Sequence, residues 1–169
     1  INDNKGHHQA NCSANTFSRK TMHDKILKAL MDLLKSAGIL ALKEPTDVLT
    51  KPGNNGDILI PDILIPNNPL VEDNLNTVYD LFVVHPSNHG LVSKTHYKIS
   101  KYNQAIEISN GSTIFIPIGF DLYGELGPET DKFIENIASF GYTSKGYKQS
   151  YFLNRFYNNL SFIFANENT

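Results

Sequence analysis

The sequence predicts an α/β fold, a mixed β-sheet flanked by helices. Three observations lead there. Apolar residues recur at the period of an amphipathic helix near the start of the chain and again at its end. Between those stretches lie short runs rich in β-branched and aromatic residues, each bounded by Pro, Gly or Asn. The resulting order, helix, strand, strand, helix, strand, helix, helix, is that of a sheet with helices packed against it.

Ile1 to about Phe17 is rich in Asn, His and Gly and has no hydrophobic period, so residues 1–17 read as an extended arm and 18–169 as the folded domain. Thr21 with Asp24 resembles a capping box, and Ile26, Leu27, Leu30, Leu33, Leu34 and Ala37 then repeat along one face. That predicts a helix from about Met22 to Ala37, ended by Gly38. A loop with Pro45, Pro52 and Gly53 to Gly56 leads into DILIPDILI, a strand with Pro61 at a bend or edge. The polar stretch NNPLVEDNLN follows. VYDLFVVHP then reads as a central strand buried on both faces and stopped by Pro86. Lys94 to Glu107 is expected as a helix, STIFIPIGFD as a third strand and Pro128 to Phe140 as a helix. Tyr151, Leu153, Phe156, Leu160 and Phe164 predict a last helix packed on the sheet.

A chain of 169 residues fits one domain with a real core. The apolar run around Ile58 to Ile65 is broken by Pro61 and Asp62, well short of the roughly 20 residues that span a bilayer, so no membrane partner is expected. The first residues lack the pattern of a secretory signal. Cys12 is the single cysteine, which excludes an internal disulfide and suits a reducing, intracellular compartment. The net charge of −2 matters for any nucleic-acid role, because phosphate binding is driven by Lys and Arg. Such a chain would bind DNA weakly by itself. Lys94, Lys98 and Lys101 nevertheless fall at helical spacing and form a local basic stripe.

Hydrolysis of a phosphodiester with a divalent metal needs hard oxygen ligands and a cation near the developing charge. Asp57 opens one predicted strand, Asp80 sits in the next, and Lys98 and Lys101 lie on the following helix. If the two strands are antiparallel neighbours, the two acids approach each other beneath the lysines. Asp80, between Tyr79 and Leu81, is costly to bury unless it is paired or binds a cation. Asp57 by itself also fits a turn, the lysines a solvated helix face, and Tyr102 a core position. His23 reads as a neighbour of a helix cap or an auxiliary group of the site. His85 and His89 flank a turn after the central strand, where they either touch DNA or have no role.

The stretches GDILIP, YDLFVVHPS and HYKISKYNQ resemble the restriction-like endonuclease, of the PD-(D/E)XK type, of early-branching non-LTR retrotransposons. SRKTMHDKIL resembles the Arg-His-Asn/Asp helix start that precedes that nuclease, and FIPIGFDLYGELGPE a segment that closes the domain in related polyproteins. The resemblance covers about His8 to Tyr123. It implies a metal site of Asp57 and Asp80 with Mg²⁺ or Mn²⁺, with Pro61-Asp62 offering Asp62 as the other candidate for the first ligand. It implies Lys101 as the catalytic lysine, because Lys101 precedes Tyr102 as in the family's Lys-Tyr pair, with Lys98 as the alternative and Lys94, Lys98, Tyr102 and His85 toward DNA. His8 and Cys12 resemble the second half of a Cys-Cys-His-Cys zinc knuckle whose first two cysteines would lie before Ile1, so Zn²⁺ is expected there in the full-length protein.

By the same resemblance the partners are a target DNA duplex, a reverse transcriptase domain and the element's RNA, in the nucleus. The activity would be nicking of the target to expose a priming 3′-hydroxyl. Two departures stand out. The gap from Asp57 to Asp80 is long for the family, and Phe82 occupies the usual lysine place two residues after Asp80. These departures favour the alternative function, a non-catalytic module that keeps the nuclease fold for DNA docking or protein contacts.

Overall fold

The computed structural model describes residues 14–49, 58–86, 90–107 and 111–167. In chain order these form helix α1 (Ala14–Ala37), strands β1 (Leu42–Lys43), β2 (Ile63–Ile65) and β3 (Asn76–Val84), helix α2 (Gly90–Glu107), strand β4 (Thr113–Asp121), and helices α3 (Pro128–Lys145) and α4 (Gln149–Glu167). The four strands make one sheet in the order β1-β2-β3-β4. β1 to β3 run antiparallel, while β3 and β4 are parallel and joined by the crossover α2. The mixed α/β sheet with flanking helices is thus present. Among the described residues no helix is long and apolar enough to cross a membrane.

The sheet separates two layers. Alternation along β3 sends Tyr79 and Leu81 to one face, where Ile63, Ile65, Ile118 and Phe120 meet the apolar sides of α1, α3 and α4. Every apolar position predicted to line α1 is buried there: Ile26, Leu27, Leu30, Leu33, Leu34 and Ala37. On α4 the inward residues are Phe152, Phe156, Leu160, Ile163 and Phe164, while Tyr151, expected inside, is exposed. Gly141 explains the choice of Phe152, since a Cβ at that glycine would lie 2.6 Å from the Phe152 ring. The other face of the sheet carries α2 and a smaller cluster of Leu49, Leu59, Tyr102 and Ala105. On that face Tyr102 stacks on Phe115 with centroids 4.1 Å apart.

Three local expectations are corrected. α1 begins at Ala14 rather than near Met22, because neither Gly nor Pro interrupts the chain from there to Gly38. Thr21 and Asp24 therefore lie inside the helix and cap nothing, and residues 14–17 of the expected arm are helical. Of the described part of DILIPDILI, residues 58–65, only Ile63–Ile65 pairs as a strand, since Pro61 has no N–H for the ladder. α2 starts at Gly90, one turn before Lys94. The two-residue β1, too short to show a periodicity, had no counterpart in the sequence reading.

β3 is the interior strand that its composition predicts, buried from Thr77 to Phe82. β4 is a sheet edge, which is where Pro117 is tolerated. The stretch between β2 and β3 is a hairpin loop. Ile65 pairs with Thr77, and Asn68, fully buried, closes the loop by donating to Tyr79 Oη at 2.8 Å and accepting from Leu70 N–H at 3.0 Å.

Candidate functional site

The antiparallel register of β2 and β3 sets Ile63 opposite Tyr79, and Asp62 N–H also donates to the Tyr79 carbonyl at 2.9 Å. Two consecutive residues thus face one, the arrangement of a β-bulge, a device that re-aims a side chain. The Asp62 side chain is turned along the sheet, and its Oδ2 accepts the Leu81 N–H at 2.6 Å. A strand N–H points within the plane of the sheet, so this carboxylate continues the ladder where Pro61 has ended it. It lies between the two layers, with His23 Nε2 of α1 at 3.3 Å from the same oxygen.

Asp80 is the residue between Tyr79 and Leu81 and so projects onto the α2 face. Lys98 Nζ donates to its Oδ2, and the Tyr102 hydroxyl also hydrogen-bonds the carboxylate. Lys98 and Tyr102 are four apart on α2 and share one helix face, which is why both reach the same acid. Lys101 falls beside that face and is half-buried, without a contact to Asp80 among those described. Lys94 is half-buried near the start of α2, its Nζ 4.4 Å from the Tyr97 ring centroid. His85 follows β3, half-buried at the same end of the sheet.

The electrostatics tie these groups into one cluster. Burial pushes the Asp80 carboxyl above the usual carboxylate range, the Lys98 ammonium opposes that, and the charge of Asp62 adds to it. Asp62 and Asp80 are 9 % and 7 % exposed, two acids that feel each other in a poorly solvated place. For His23, burial lowers the affinity for a proton, but the hydrogen bonds and charges of Asp62 and Asp24 outweigh it and leave the imidazole above its ordinary value. Burial also raises the Tyr102 phenol, and the Asp80 charge raises it further. Lys94 is lowered, by burial first and then by Lys98 and Lys101.

Of the acids named from the sequence, Asp62 and Asp80 are brought together, while Asp57 lies outside the described residues. Of the lysines, Lys98 rather than Lys101 pairs with Asp80. Tyr102, expected toward DNA, is 2 % exposed between Asp80 and Phe115, which leaves no surface for such a contact. His8, Cys12 and His89 lie outside the described residues. His23 does join the cluster. Two residues after Asp80 on β3 stands Phe82, whose ring packs over Gly119: a Cβ there would lie 2.4 Å from Phe82 Cζ.

Asp62 and Asp80, close enough for the charge of one to raise the other, would offer carboxylate oxygens to Mg²⁺ or Mn²⁺, ions that take such hard donors. Among the described residues no group of three or more His, Cys, Asp or Glu side chains clusters as a cage. A different cavity of about 440 Å³, lined by Leu70, Glu72, Tyr79 and Lys132, opens on the opposite layer and contains neither acid. The signal for Asp62 was present in the sequence as the Pro61-Asp62 dipeptide. The signal for Lys98 was its four-residue spacing from Tyr102. No family model matches the chain, and no curated protein matches it.

Proposed function

We propose that this chain is a divalent-metal-dependent DNA endonuclease domain of the PD-(D/E)XK type. The observation that supports it most is the approach of Asp62, just before β2, to Asp80 of β3, close enough for their charges to interact, with Lys98 from a helix on Asp80. Asp62 and Asp80 would hold Mg²⁺ or Mn²⁺, and a cation there would offset the burial, and after it the Asp62 charge, that raise the Asp80 carboxyl. The ion, when bound, polarises the scissile phosphate and lowers the pKa of a bound water.

The chain's own residues do the rest. Asp62 is fixed by the Leu81 N–H, so its free oxygen is aimed without a conformational search. Tyr102 holds Asp80 in place from below. Lys98, moved off Asp80 by the phosphate, donates to a non-bridging oxygen and offsets the charge that develops there. Water adds to phosphorus, the 3′ oxygen leaves and takes a proton, and the products are a 5′-phosphate and a 3′-hydroxyl. That end is one a polymerase extends, as a parent polyprotein carrying a reverse transcriptase would require.

The test is nicking of supercoiled plasmid with Mg²⁺ or Mn²⁺, repeated with EDTA and with Asp62→Asn and Asp80→Asn. Metal-dependent nicking lost in both variants supports the reading. A folded wild-type chain that binds DNA and never nicks it would instead identify a non-catalytic docking module.

A further inference from the structure

Beside the acid pair, on the α1 side of the sheet, lies a cleft of about 550 Å³ lined by Arg19, Lys20, His23, Asp24, Glu44 and Val83. Three of its six lining residues are basic, in a chain whose net charge is −2. Among the described residues, Arg19 Nε is the buried side-chain polar atom left without a hydrogen-bond partner. Such groups are rare in folded proteins and call for a reason. A guanidinium stays charged at any working pH, so its unmet N–H cannot be silenced by losing a proton. The acids in the cleft are already engaged: Asp24 Oδ1 with His23 Nδ1 at 3.1 Å, and Glu44 Oε2 with Lys43 Nζ at 3.7 Å. Both ring nitrogens of His23 are engaged too, so Arg19 and Lys20 are the groups with donors to spare.

We infer that this cleft is a second phosphate-binding subsite, in which Arg19 and Lys20 hold a phosphodiester of the same nucleic-acid strand next to the one at Asp62 and Asp80. The inference rests on the nuclease reading for its register, not for its chemistry. His23 links the two places, with Nε2 on Asp62 Oδ2 and its ring lining the cleft. The lysines of α2 stand on the opposite layer, so a strand crossing the sheet edge meets cations on both sides of the acids. The planar fork of Arg19 matches two phosphate oxygens at once, a geometry that lysine lacks.

The experiment measures binding of a short fluorescent DNA duplex to the whole chain in EDTA, across a range of salt, with duplexes carrying a neutral methylphosphonate at single positions around the nick. Arg19→Gln should lower affinity about tenfold and reduce the slope of log affinity against log salt by about one. One methylphosphonate position should weaken wild-type binding and leave Arg19→Gln unaffected, and Arg19→Lys should recover the slope. Lys20, at the exposed side, gives the same test through Lys20→Gln if Arg19→Gln does not fold. Unchanged affinity and slope in the folded variants would overturn the subsite even if the chain nicks DNA. Loss of slope in a chain that never nicks would retain the subsite and remove the nuclease reading.

Discussion

The Asp62 carboxylate accepts the backbone N–H of Leu81 at 2.6 Å, so one side chain does the work of a strand that has stopped. The same oxygen lies 3.3 Å from His23 Nε2. The hydrogen bond to Leu81 and the proposed metal ligation therefore meet on one residue, and substitutions can separate them. Asp62→Asn keeps an acceptor for Leu81 and should fold normally while losing metal-dependent nicking. Asp62→Ala leaves a buried N–H unmet and should also cost about 1–3 kcal/mol in urea denaturation. Equal stability of the two variants would show that the hydrogen bond carries no weight.

Asp80 and Lys98 form a mostly buried ion pair, the carboxylate raised in pKa by its surroundings. Removing one partner strands the other charge. Asp80→Ala is expected to abolish nicking and to destabilise by on the order of 1–3 kcal/mol. The double variant Asp80→Ala with Lys98→Met should recover most of that stability and none of the activity. Chemical denaturation of the three proteins decides it; a double variant no more stable than the single one would mean the pair is not coupled.

Lys98→Met should reduce single-turnover cleavage by about 10²–10³, the usual effect of removing one donor to developing charge, with DNA affinity nearly unchanged. Lys101→Ala should cleave close to the wild-type rate. Lys101 was the preferred lysine on sequence grounds, so a collapse of the rate in Lys101→Ala alone would restore that assignment.

Gly119 is packed under Phe82, and its N–H is bound by Thr130 Oγ1 at 2.8 Å. Gly119→Ala should lower stability by about 1–3 kcal/mol through overpacking, partly relieved by Phe82→Leu in the same chain. Thermal unfolding of the single and double variants is the measurement. A melting temperature equal to wild type would mean that the ring moves aside freely.

Much of the fold was legible because periodicity reports burial. The apolar stripe of α1, the β-branched run of β3 and the Gly38 stop each obey a local rule. The start of α1 was not legible, since the mostly polar stretch from Ala14 to Thr21 carries no hydrophobic period, and the apparent capping box at Thr21 and Asp24 offered a false boundary. The acids and lysines of the site were legible by residue type, and their pairing was not. Asp62 is brought near Asp80 by register and a bulge, which no local pattern reports, while Asp57, preferred for its position within the DILIP segment, lies outside the described residues. The choice of Lys101 over Lys98 followed adjacency to Tyr102. On a helix, neighbours in sequence point about 100° apart, and a partner four residues away shares the face.

The buried Asn68 closes the loop that joins β2 to β3, and the exposed tip at Asp73 and Asn74 turns with positive φ of 59° and 48°. Everything beyond that closure is held apart from the two acids. Extra residues at the tip add only a slowly growing entropy of loop closure, because the ends are already pinned. The number of residues between Asp62 and Asp80 can thus change while their separation in space stays fixed. A pattern search that counts residues between the acids would pass this chain by, and a guest peptide grafted at Asp73 would reach solvent without disturbing them.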